Sequence, residues 1–172
     1  MRILALVPLC LVASCSGGGE EKKAEEAAAA TIDGGQWETS FEVTKFGSTD
    51  QSPPAMKAAV GDKAINAICV PEAERSTPPP ELFAGEGYEC DYKNNYIRNG
   101  RINASINCTR EGVTGDIMMT VDGSYKADSL EGTVTTTTYL PGAGDFQMDR
   151  KLTGRKTAAA CAPAEEPANK TG

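Results

Sequence analysis

The residues with the clearest chemical potential in this sequence are its six cysteines, at positions 10, 15, 69, 90, 108 and 161. Cys10 lies in an apolar N-terminal segment, and Cys15 directly follows the small residues Ala13 and Ser14. The other cysteines are widely separated, and no two of them have Cys-x-x-Cys spacing. Since a thiol can form a disulfide, bind zinc or accept a lipid, the sequence around each cysteine decides which chemistry we expect there.

The sequence contains no histidine, which removes several classes of site at once. Ser-His-Asp catalysis, Cys-His catalysis and histidine-ligated metals all need an imidazole. The 24 acidic residues exceed the 17 basic ones, and the net charge of −7 disfavours binding to the phosphates of nucleic acid. We therefore expect no catalytic residue, no metal, no cofactor and no nucleic-acid partner.

The N-terminal segment is typical of an exported lipoprotein. Arg2 supplies a positive charge, and residues 3–12 form an apolar run too short for a transmembrane helix, which needs about 20 residues. The segment from Val12 to Cys15 resembles a bacterial lipobox, in which the cysteine is acylated once the preceding peptide is removed. We therefore expect residues 1–14 to be a signal peptide and Cys15 to carry palmitate or related chains that anchor the protein in a membrane. An ordinary secretory signal with an incidental Cys15 is the alternative.

The flanking segments indicate where the protein is anchored and where its folded domain lies. Ser16 follows Cys15, whereas an aspartate there would, by resemblance to known lipoproteins, favour the inner membrane, so we expect the periplasmic face of the outer membrane. Residues 15–33 are rich in glycine, glutamate, lysine and alanine and have no apolar stripe, which predicts a flexible tether. Residues 162–172 contain two prolines and no large apolar residue and are predicted to be disordered. The domain is therefore expected to span residues 34–161.

Within this domain, the exported context favours two disulfides over an all-cysteine zinc site. Residues 101–108 alternate between apolar and polar, which places Ile102, Ile106 and Cys108 on one face of a strand. An upstream strand also has aromatic residues and a cysteine on one face: Tyr88, Cys90, Tyr92 and Tyr96. Asn99-Gly100 between the two strands is a typical hairpin turn.

Two registers of this hairpin compete. A two-residue loop at Asn99-Gly100 places Cys108 opposite Asp91, whereas a three-residue loop over residues 98–100 places Cys108 opposite Cys90. The second register also pairs apolar residues with one another: Tyr92 with Ile106, and Tyr96 with Ile102. Because a slip of one residue moves every side chain to the other face of the sheet, we favour the second register. It predicts a Cys90–Cys108 disulfide and, by elimination, a Cys69–Cys161 disulfide.

The rest of the domain also has the pattern of antiparallel strands. Alternating apolar residues predict strands near residues 37–43, 64–70, 113–121, 125–139 and 146–152, with a turn at Asp122-Gly123. One helical turn is expected at residues 55–60, and prolines predict an extended loop over residues 71–86. A sheet of about seven strands must curl, close or pack on itself to protect its apolar face. We therefore predict an all-β antiparallel meander that forms a small twisted barrel or half-barrel with two disulfides.

Four different short motifs are spread along this domain: Gly35-Gln36-Trp37-Glu38, Ile68-Cys69-Val70, the Cys90-to-Cys108 hairpin, and Gly154-Arg155 followed by Cys161. Together they resemble a domain family of unknown function found in proteobacterial periplasmic proteins and lipoproteins. The resemblance covers roughly residues 34–161 and implies an exported domain with disulfides. No activity is assigned to that family, so the resemblance implies no site residues.

Clusters of charged residues give weaker indications of function. Two acidic pairs flank predicted turns, where aspartate is common for backbone reasons: Asp122/Asp128 and Asp145/Asp149. Two basic groups could hold an anion, but solvated strand faces explain them as well: Arg98/Arg101 and Arg150/Lys151/Arg155. None of these clusters therefore predicts a site by itself.

These observations predict a non-enzymatic binding or structural module of the cell envelope. Its expected partners are the membrane, through the lipid anchor, and a small apolar ligand or an envelope protein that contacts the curved sheet. One alternative is an inhibitor whose acidic surface steers it onto a basic envelope enzyme such as lysozyme. A less favoured alternative is a hydrolase with two carboxylates about 5–9.5 Å apart in a cleft.

Overall fold

The computed structural model describes residues 31–161, which form one antiparallel sheet of seven strands. The strands are β1 (Gly35–Ser48), β2 (Lys63–Val70), β3 (Tyr88–Arg98), β4 (Arg101–Arg110), β5 (Val113–Tyr125), β6 (Ser129–Tyr139) and β7 (Phe146–Ala158). A 3₁₀ turn (Glu72–Glu74) and one short helix, α1 (Glu81–Ala84), lie between β2 and β3. The predicted signal peptide, Cys15, most of the predicted tether and the predicted tail lie outside the described residues.

The sheet curls into a half-barrel, which confirms the predicted fold class. Its strand order is β2-β1-β7-β6-β5-β4-β3, so the last five strands form a meander and β1 pairs with the final strand. The edges are β2 and β3, and they are not paired with each other. Because a twisted antiparallel sheet of this length cannot stay flat, it curves and encloses its apolar face.

Strict alternation along the strands places the core on the concave side. In β4, for example, Ile102, Ala104 and Ile106 are buried, while the residues between them are more exposed. This is the period-two pattern of a sheet with one face packed and one face in water. The predicted sharing of one face by apolar residues is therefore correct for this strand.

The segment before β3 covers the concave face, although its prolines predict an extended loop. Leu82, Phe83 and Ala84 of α1 are fully buried. The loop prediction is wrong because residues 78–80 immediately precede α1, where backbone N–H groups need no helical partner and proline is tolerated. Within residues 31–161 no helix has the length and apolar character needed to cross a membrane.

The predicted helical turn at residues 55–60 is also wrong. This segment is irregular in the structure. Met56 and Ala58, two residues apart, both pack against a small apolar cluster of Val43, Phe146 and Met148. Side chains at this spacing reach the same surface from an extended backbone rather than from a helix, which explains the difference.

The β3–β4 hairpin contains both of the registers that compete in the sequence. Asn99 and Gly100 have φ values of 55° and 72°, so the turn has two residues and not the predicted three. Near the turn Ile97, rather than Tyr96, is opposite Ile102. A β-bulge at Lys93 then shifts the pairing by one residue. Beyond the bulge the predicted register holds, and Cys90 is opposite Cys108.

Asp122-Gly123 lies inside β5 and does not turn the chain as predicted. The chain turns only after Tyr125, where the Lys126 N–H donates to the Ser129 carbonyl at 2.8 Å. Gly123 is directly opposite Gly132 of β6, and a Cβ on either glycine would collide with backbone of the other strand. This glycine is therefore needed for the close approach of two strands and not for a turn.

Both predicted disulfides are present. Cys90 and Cys108 join the β3–β4 pair with a Cα–Cα distance of 4.1 Å, and Cys69 and Cys161 are 5.2 Å apart by the same measure. The Cys69–Cys161 bridge links the end of β2 to the residues that follow β7. Because β1 lies between these two strands, the bridge holds both neighbours of β1 together.

The packed domain begins slightly earlier than the predicted start at residue 34. Ile32 is fully buried, and the Asp33 N–H donates to the carbonyl of Ala127 at 2.7 Å. The Asp33 carboxylate also forms an ion pair with Arg75, at 2.8 Å. Ile32 and Asp33 therefore belong to the domain rather than to the predicted tether.

Candidate functional site

The interior of the half-barrel contains one charged side chain, Arg150 of β7. Alternation along β7 directs Phe146, Met148, Arg150 and Leu152 to the concave face, and only 7% of Arg150 is exposed. The predicted grouping of Arg150 with Lys151 and Arg155 on a solvated face is wrong, because Lys151 and Arg155 have the opposite parity along the strand and are exposed. The structure therefore separates Arg150 from the two basic residues nearest to it in sequence.

Arg150 is surrounded by neutral groups. Its Nη1 donates to the carbonyl of Ala84 at 3.0 Å, and its Nη2 lies 3.6 Å from Sδ of Met119. The guanidinium carbon is 4.7 Å from the centroid of the Phe41 ring, a cation–π arrangement. Within the part of the chain that the structure describes, no carboxylate lies within 4.0 Å of this guanidinium. The cation is therefore buried without an acidic partner.

Burial lowers the pKa of Arg150, the Tyr88 hydroxyl opposes this effect, and the positive charge of Arg110 lowers the pKa further. An arginine nevertheless stays protonated in proteins because its unperturbed pKa lies above about 12. Taking such a charge out of water without pairing it costs several kcal/mol. An arginine in this environment therefore lowers the stability of the folded domain.

A second guanidinium, that of Arg110, lies near the Tyr88 ring that Arg150 also approaches. Arg110 stacks on Tyr88 with a distance of 4.5 Å to the ring centroid, and Arg150 lies 5.8 Å from the same centroid. Arg110 is half-buried, and its Nη1 donates to the carbonyl of Glu86 at 3.4 Å. Tyr88 is therefore close to both an interior cation and a cation nearer the surface.

Two buried polar atoms in this region lack a hydrogen-bond partner. Among the described residues, the fully buried side-chain nitrogen and oxygen atoms without a partner are Arg150 Nε and Thr136 Oγ1. Thr136 is opposite Met148, and Arg150 is opposite Val134, so the two lie diagonally across the β6–β7 pair. Both atoms can donate a hydrogen bond. Since nearly all buried polar groups in proteins are satisfied, two unsatisfied donors on adjacent strands need an explanation.

We call residues 78–85, which include α1 and cover this region, the plug. Few polar contacts attach it to the sheet. Tyr92 donates its hydroxyl to the Pro78 carbonyl at 2.7 Å, Asn66 donates its amide to the Glu81 carbonyl at 3.2 Å, and Arg150 bonds to Ala84. The Cys90 N–H also donates to the Glu81 carboxylate at 3.4 Å. The plug takes part in none of the strand pairings.

Comparison with known proteins identifies a family but no activity. Residues 32–161 match the family model DUF3617, described as a protein of unknown function. The chain belongs to the DUF3617 family. No curated protein and no solved structure matches the chain. The matched region of this DUF3617 domain begins at Ile32, which is fully buried, and ends at Cys161, which closes a disulfide, so it coincides with the packed domain.

The acidic pairs considered in the sequence stabilise local structure in the DUF3617 domain. Asp122 lies on the outer face, where it accepts a hydrogen bond from Asn103 at 2.6 Å. Asp145 accepts hydrogen bonds from the Thr138 hydroxyl at 3.0 Å and the Leu140 N–H at 2.9 Å. The residues between 31 and 161 include no group of three cysteine, aspartate or glutamate side chains that could hold a metal ion.

One carboxylate that sequence reasoning missed joins two loops of the DUF3617 domain. Asp50 accepts N–H groups from Ser52 at 2.7 Å, from Gly144 at 2.7 Å and from Asp145 at 3.1 Å. These hydrogen bonds, led by the one from Ser52, lower the pKa of Asp50 from 3.8 to about 2. The composition of residues 48–52 is typical of an Asx turn and could have indicated the local hydrogen bonds of Asp50. The contact with Gly144 joins residues far apart in sequence, so no local sequence pattern indicates it.

The outer surface of the DUF3617 domain has two shallow clefts. One, of about 610 Å³, lies beside the β3 edge and is lined mainly by polar residues that include Asn94, Asn95 and Arg98. The other, of about 520 Å³, lies over β5 and β6 and is lined by residues such as Glu131 and Lys151. Neither cleft is lined by Arg150. The concavity predicted for a ligand is instead occupied by the plug, so a ligand of the concave face would have to displace it.

Proposed function

We propose that this protein is a non-enzymatic binding module of the proteobacterial cell envelope, anchored through an acylated Cys15, and that its half-barrel binds an apolar ligand. The observation that carries the binding function is Arg150, a buried cation without an acidic partner behind a short segment that takes part in no strand pairing. A purely structural core would gain stability from an apolar residue at this position. The presence of an arginine at this position therefore favours a role in recognition.

The disulfides support export. Cys69–Cys161 and Cys90–Cys108 close the domain, and such bonds persist in the periplasm and outside the cell but are rare in the cytosol. The lipobox-like sequence ending at Cys15 adds the membrane anchor, and the absence of aspartate at residue 16 favours the outer membrane. Several acyl chains on one cysteine hold a protein at a membrane without a transmembrane helix.

The surroundings of the carboxylates support a binding role over hydrolysis. The buried polar side chains of residues 31–161 are Thr39, Asn66, Thr136, Thr138 and Arg150, and none of them is an acid. Carboxylate-based hydrolysis needs an acid whose pKa is raised by burial or by a like charge. The clearest perturbed carboxylate, Asp50, is shifted in the opposite direction.

Mass spectrometry of the protein purified from membranes tests this proposal. The full chain is expressed with its own N-terminal segment, beside a Cys15→Ser variant as the matched control. We expect acyl mass on Cys15 in the wild type only, two disulfides in both proteins, and a bound small molecule in native spectra of both. A protein without acylation, found in the soluble fraction, would contradict the anchor. Stoichiometric recovery of a basic enzyme, with no bound small molecule, would favour the inhibitor alternative instead.

A further inference from the structure

We propose that the interior of the half-barrel is a binding site for a single acyl chain with an anionic headgroup, and that the plug occupies this site when no ligand is bound. Arg150 binds the headgroup, and the chain replaces the side chains of Leu82 and Phe83. This inference rests on the proposed binding function, because it names the ligand class of the same site.

The Nε and Nη2 edge of the Arg150 guanidinium has no oxygen partner and suits an oxyanion. A guanidinium can donate from Nε and Nη2 to both oxygens of a carboxylate or phosphate, in a side-on bidentate pair. In the structure Nη1 is bonded to the plug, Nη2 faces only a thioether sulfur, and Nε has no partner. The unsatisfied hydroxyl of Thr136 lies diagonally from it across the β6–β7 pair and can add a third donor.

The plug can leave without disturbing the pairing of the strands. It contributes to no strand pairing, and neither disulfide includes a residue of the plug. On its C-terminal side Gly85 and Gly87 both have positive φ values, 89° and 81°. Glycine adopts many backbone conformations at similar energy, so these positions can change conformation readily. The seven strands would therefore keep their pairing in a ligand-bound state.

The buried side chains of the plug match a medium-length acyl chain in carbon number and polarity. Leu82, Phe83 and Ala84 are fully buried and together contribute about twelve apolar side-chain carbons. Displacing them exposes an apolar surface that must be covered again, since burial of such surface is the main source of stability in a domain. A saturated chain of about twelve carbons supplies an equivalent apolar area in one linear molecule.

The charge distribution around Tyr88 also favours an anion. Arg110 stacks on this ring and is half-buried, whereas Arg150 lies near the ring inside the core. The plug leads into β3 through Glu86 and Gly87, next to Arg110. An anion that enters beside this segment passes one cation before it reaches the other, and like-signed cations along an entry path raise the local concentration of an anionic ligand.

Calorimetric titration with three twelve-carbon probes tests the headgroup. The probes are dodecanoate, dodecyl phosphate and the neutral dodecanol, added below their micellar concentrations to the full chain carrying Cys15→Ser. We expect at least one anionic probe to bind tenfold or more tightly than dodecanol. Tighter binding of dodecanoate would identify a fatty acid as the ligand class. Tighter binding of dodecyl phosphate would identify a lipid with a phosphate headgroup. Equal affinities for all three, or no binding, would overturn the proposal.

A substitution of Arg150 tests the role of the cation. Arg150→Met should reduce the preference for the anionic probe over dodecanol to about twofold or less, while the protein remains folded by thermal unfolding. Lys151→Met, the adjacent outward-facing basic residue, is the matched control and should leave that preference unchanged. An unchanged preference in Arg150→Met would refute the assignment of the headgroup to this residue.

Phe83→Ala should weaken the packing of the plug and thereby raise the fraction of molecules that can accept a ligand. We expect the affinity for the anionic probe to rise by about tenfold or more, although the melting temperature falls. A merely structural Phe83 would lower both quantities, and that result would overturn the displacement of the plug. If no twelve-carbon probe binds but another small molecule is retained in native spectra, the acyl-anion inference fails and the proposed binding function stands.

Discussion

Removal of the Cys69–Cys161 disulfide should destabilise the domain more than any single surface substitution. The bridge joins residues 92 positions apart and encloses most of the folded sequence. In the double variant Cys69→Ala/Cys161→Ala, neither thiol remains to pair with another cysteine. The free energy of unfolding should fall chiefly because the unfolded chain gains conformational freedom that the cross-link denies it.

The magnitude follows from the length of the closed loop. For 92 residues the chain-entropy relation gives about 4.6 kcal/mol, compared with about 3.2 kcal/mol for the 18-residue separation of Cys90–Cys108. Unfolding entropy near 2.1 cal/mol/K per residue, over the 131 described residues, converts the larger value into a loss of about 17 °C in melting temperature. A domain at the lower end of the ordinary stability range of about 5–15 kcal/mol would then be only marginally folded.

Urea unfolding followed by the fluorescence of Trp37 measures this effect, because Trp37 is the single tryptophan and is fully buried. The single variant Cys161→Ala should cost as much as the double variant, since either change breaks the same bond. The dependence of unfolding free energy on urea should also become steeper, because an unfolded chain without the cross-link exposes more surface. A loss below about 1 kcal/mol, or an unchanged urea dependence, would refute the reasoning.

Three further predictions concern local features. Deletion of Lys93 removes the β-bulge and leaves the pairs on both sides in a continuous register, so the Cys90–Cys108 disulfide should still form and mass spectrometry should detect it. Gly100→Ala places a side chain at φ 72° in a two-residue turn and should cost about 1–2 kcal/mol in urea unfolding. Asp50→Asn should lower the melting temperature above pH 4. The difference from wild type should shrink as the pH falls from about 3.8 to about 2. The reason is that the lowered pKa of Asp50 makes its stabilising charge complete above this pH range and absent below it.

Each of these predictions has a matched comparison. Deletion of Asn107 from β4, with the bulge at Lys93 kept, instead places Cys108 opposite Asp91, so a disulfide in that variant would contradict the assigned pairing. Gly142→Ala, where an added Cβ meets no atom within 4 Å, should be close to neutral, and a similar cost at both glycines would exclude backbone strain as the cause. A constant difference between Asp50→Asn and wild type from pH 2 to pH 5 would show that the carboxylate charge does not stabilise the loops.

The buried arginine links the stability of the domain to its proposed function. Arg150 is held by one carbonyl of the plug, a sulfur atom and aromatic rings, all of which are weaker partners for a guanidinium than an oxyanion. The structure with the plug in place therefore stores an unsatisfied interaction that a suitable ligand can complete. This explains in physical terms why a site can exist in a domain whose concave face is covered by the plug.

Much of the fold could be predicted from the sequence because its strongest determinants are local. Alternation along β4 and β7 follows from a side-chain period of two residues, so the sequence identifies which residues share a face. The disulfides also followed, because Cys90 and Cys108 occur on two strands joined by a tight turn. Even here the bulge at Lys93 was missed, since an extra residue in one strand leaves no local mark when the residues that follow it, Asn94 and Asn95, are also polar.

Other features depended on residues far apart in sequence. The sequence could place Asp122-Gly123 in a turn or a strand, and only the presence of Gly132 opposite Gly123 decides between them. The prolines before α1 by themselves predict an extended loop. In the structure the apolar concave face instead buries Leu82 and Phe83 of a short helix. Local propensity gave way in both places because burial against a distant strand contributes more than the intrinsic preference of a turn or a loop.

The sequence by itself thus determined the all-β class, the pairing of the four domain cysteines and the expectation of an exported, anchored protein that performs no histidine-dependent chemistry. Only the tertiary structure decided that β1 pairs with β7, that the plug fills the half-barrel, and that Arg150 lies inside while Lys151 lies outside. The physical reason is that parity along a strand distinguishes two faces but does not say which face is enclosed. That choice is made when the sheet curls, because all seven strands must then bury the same side.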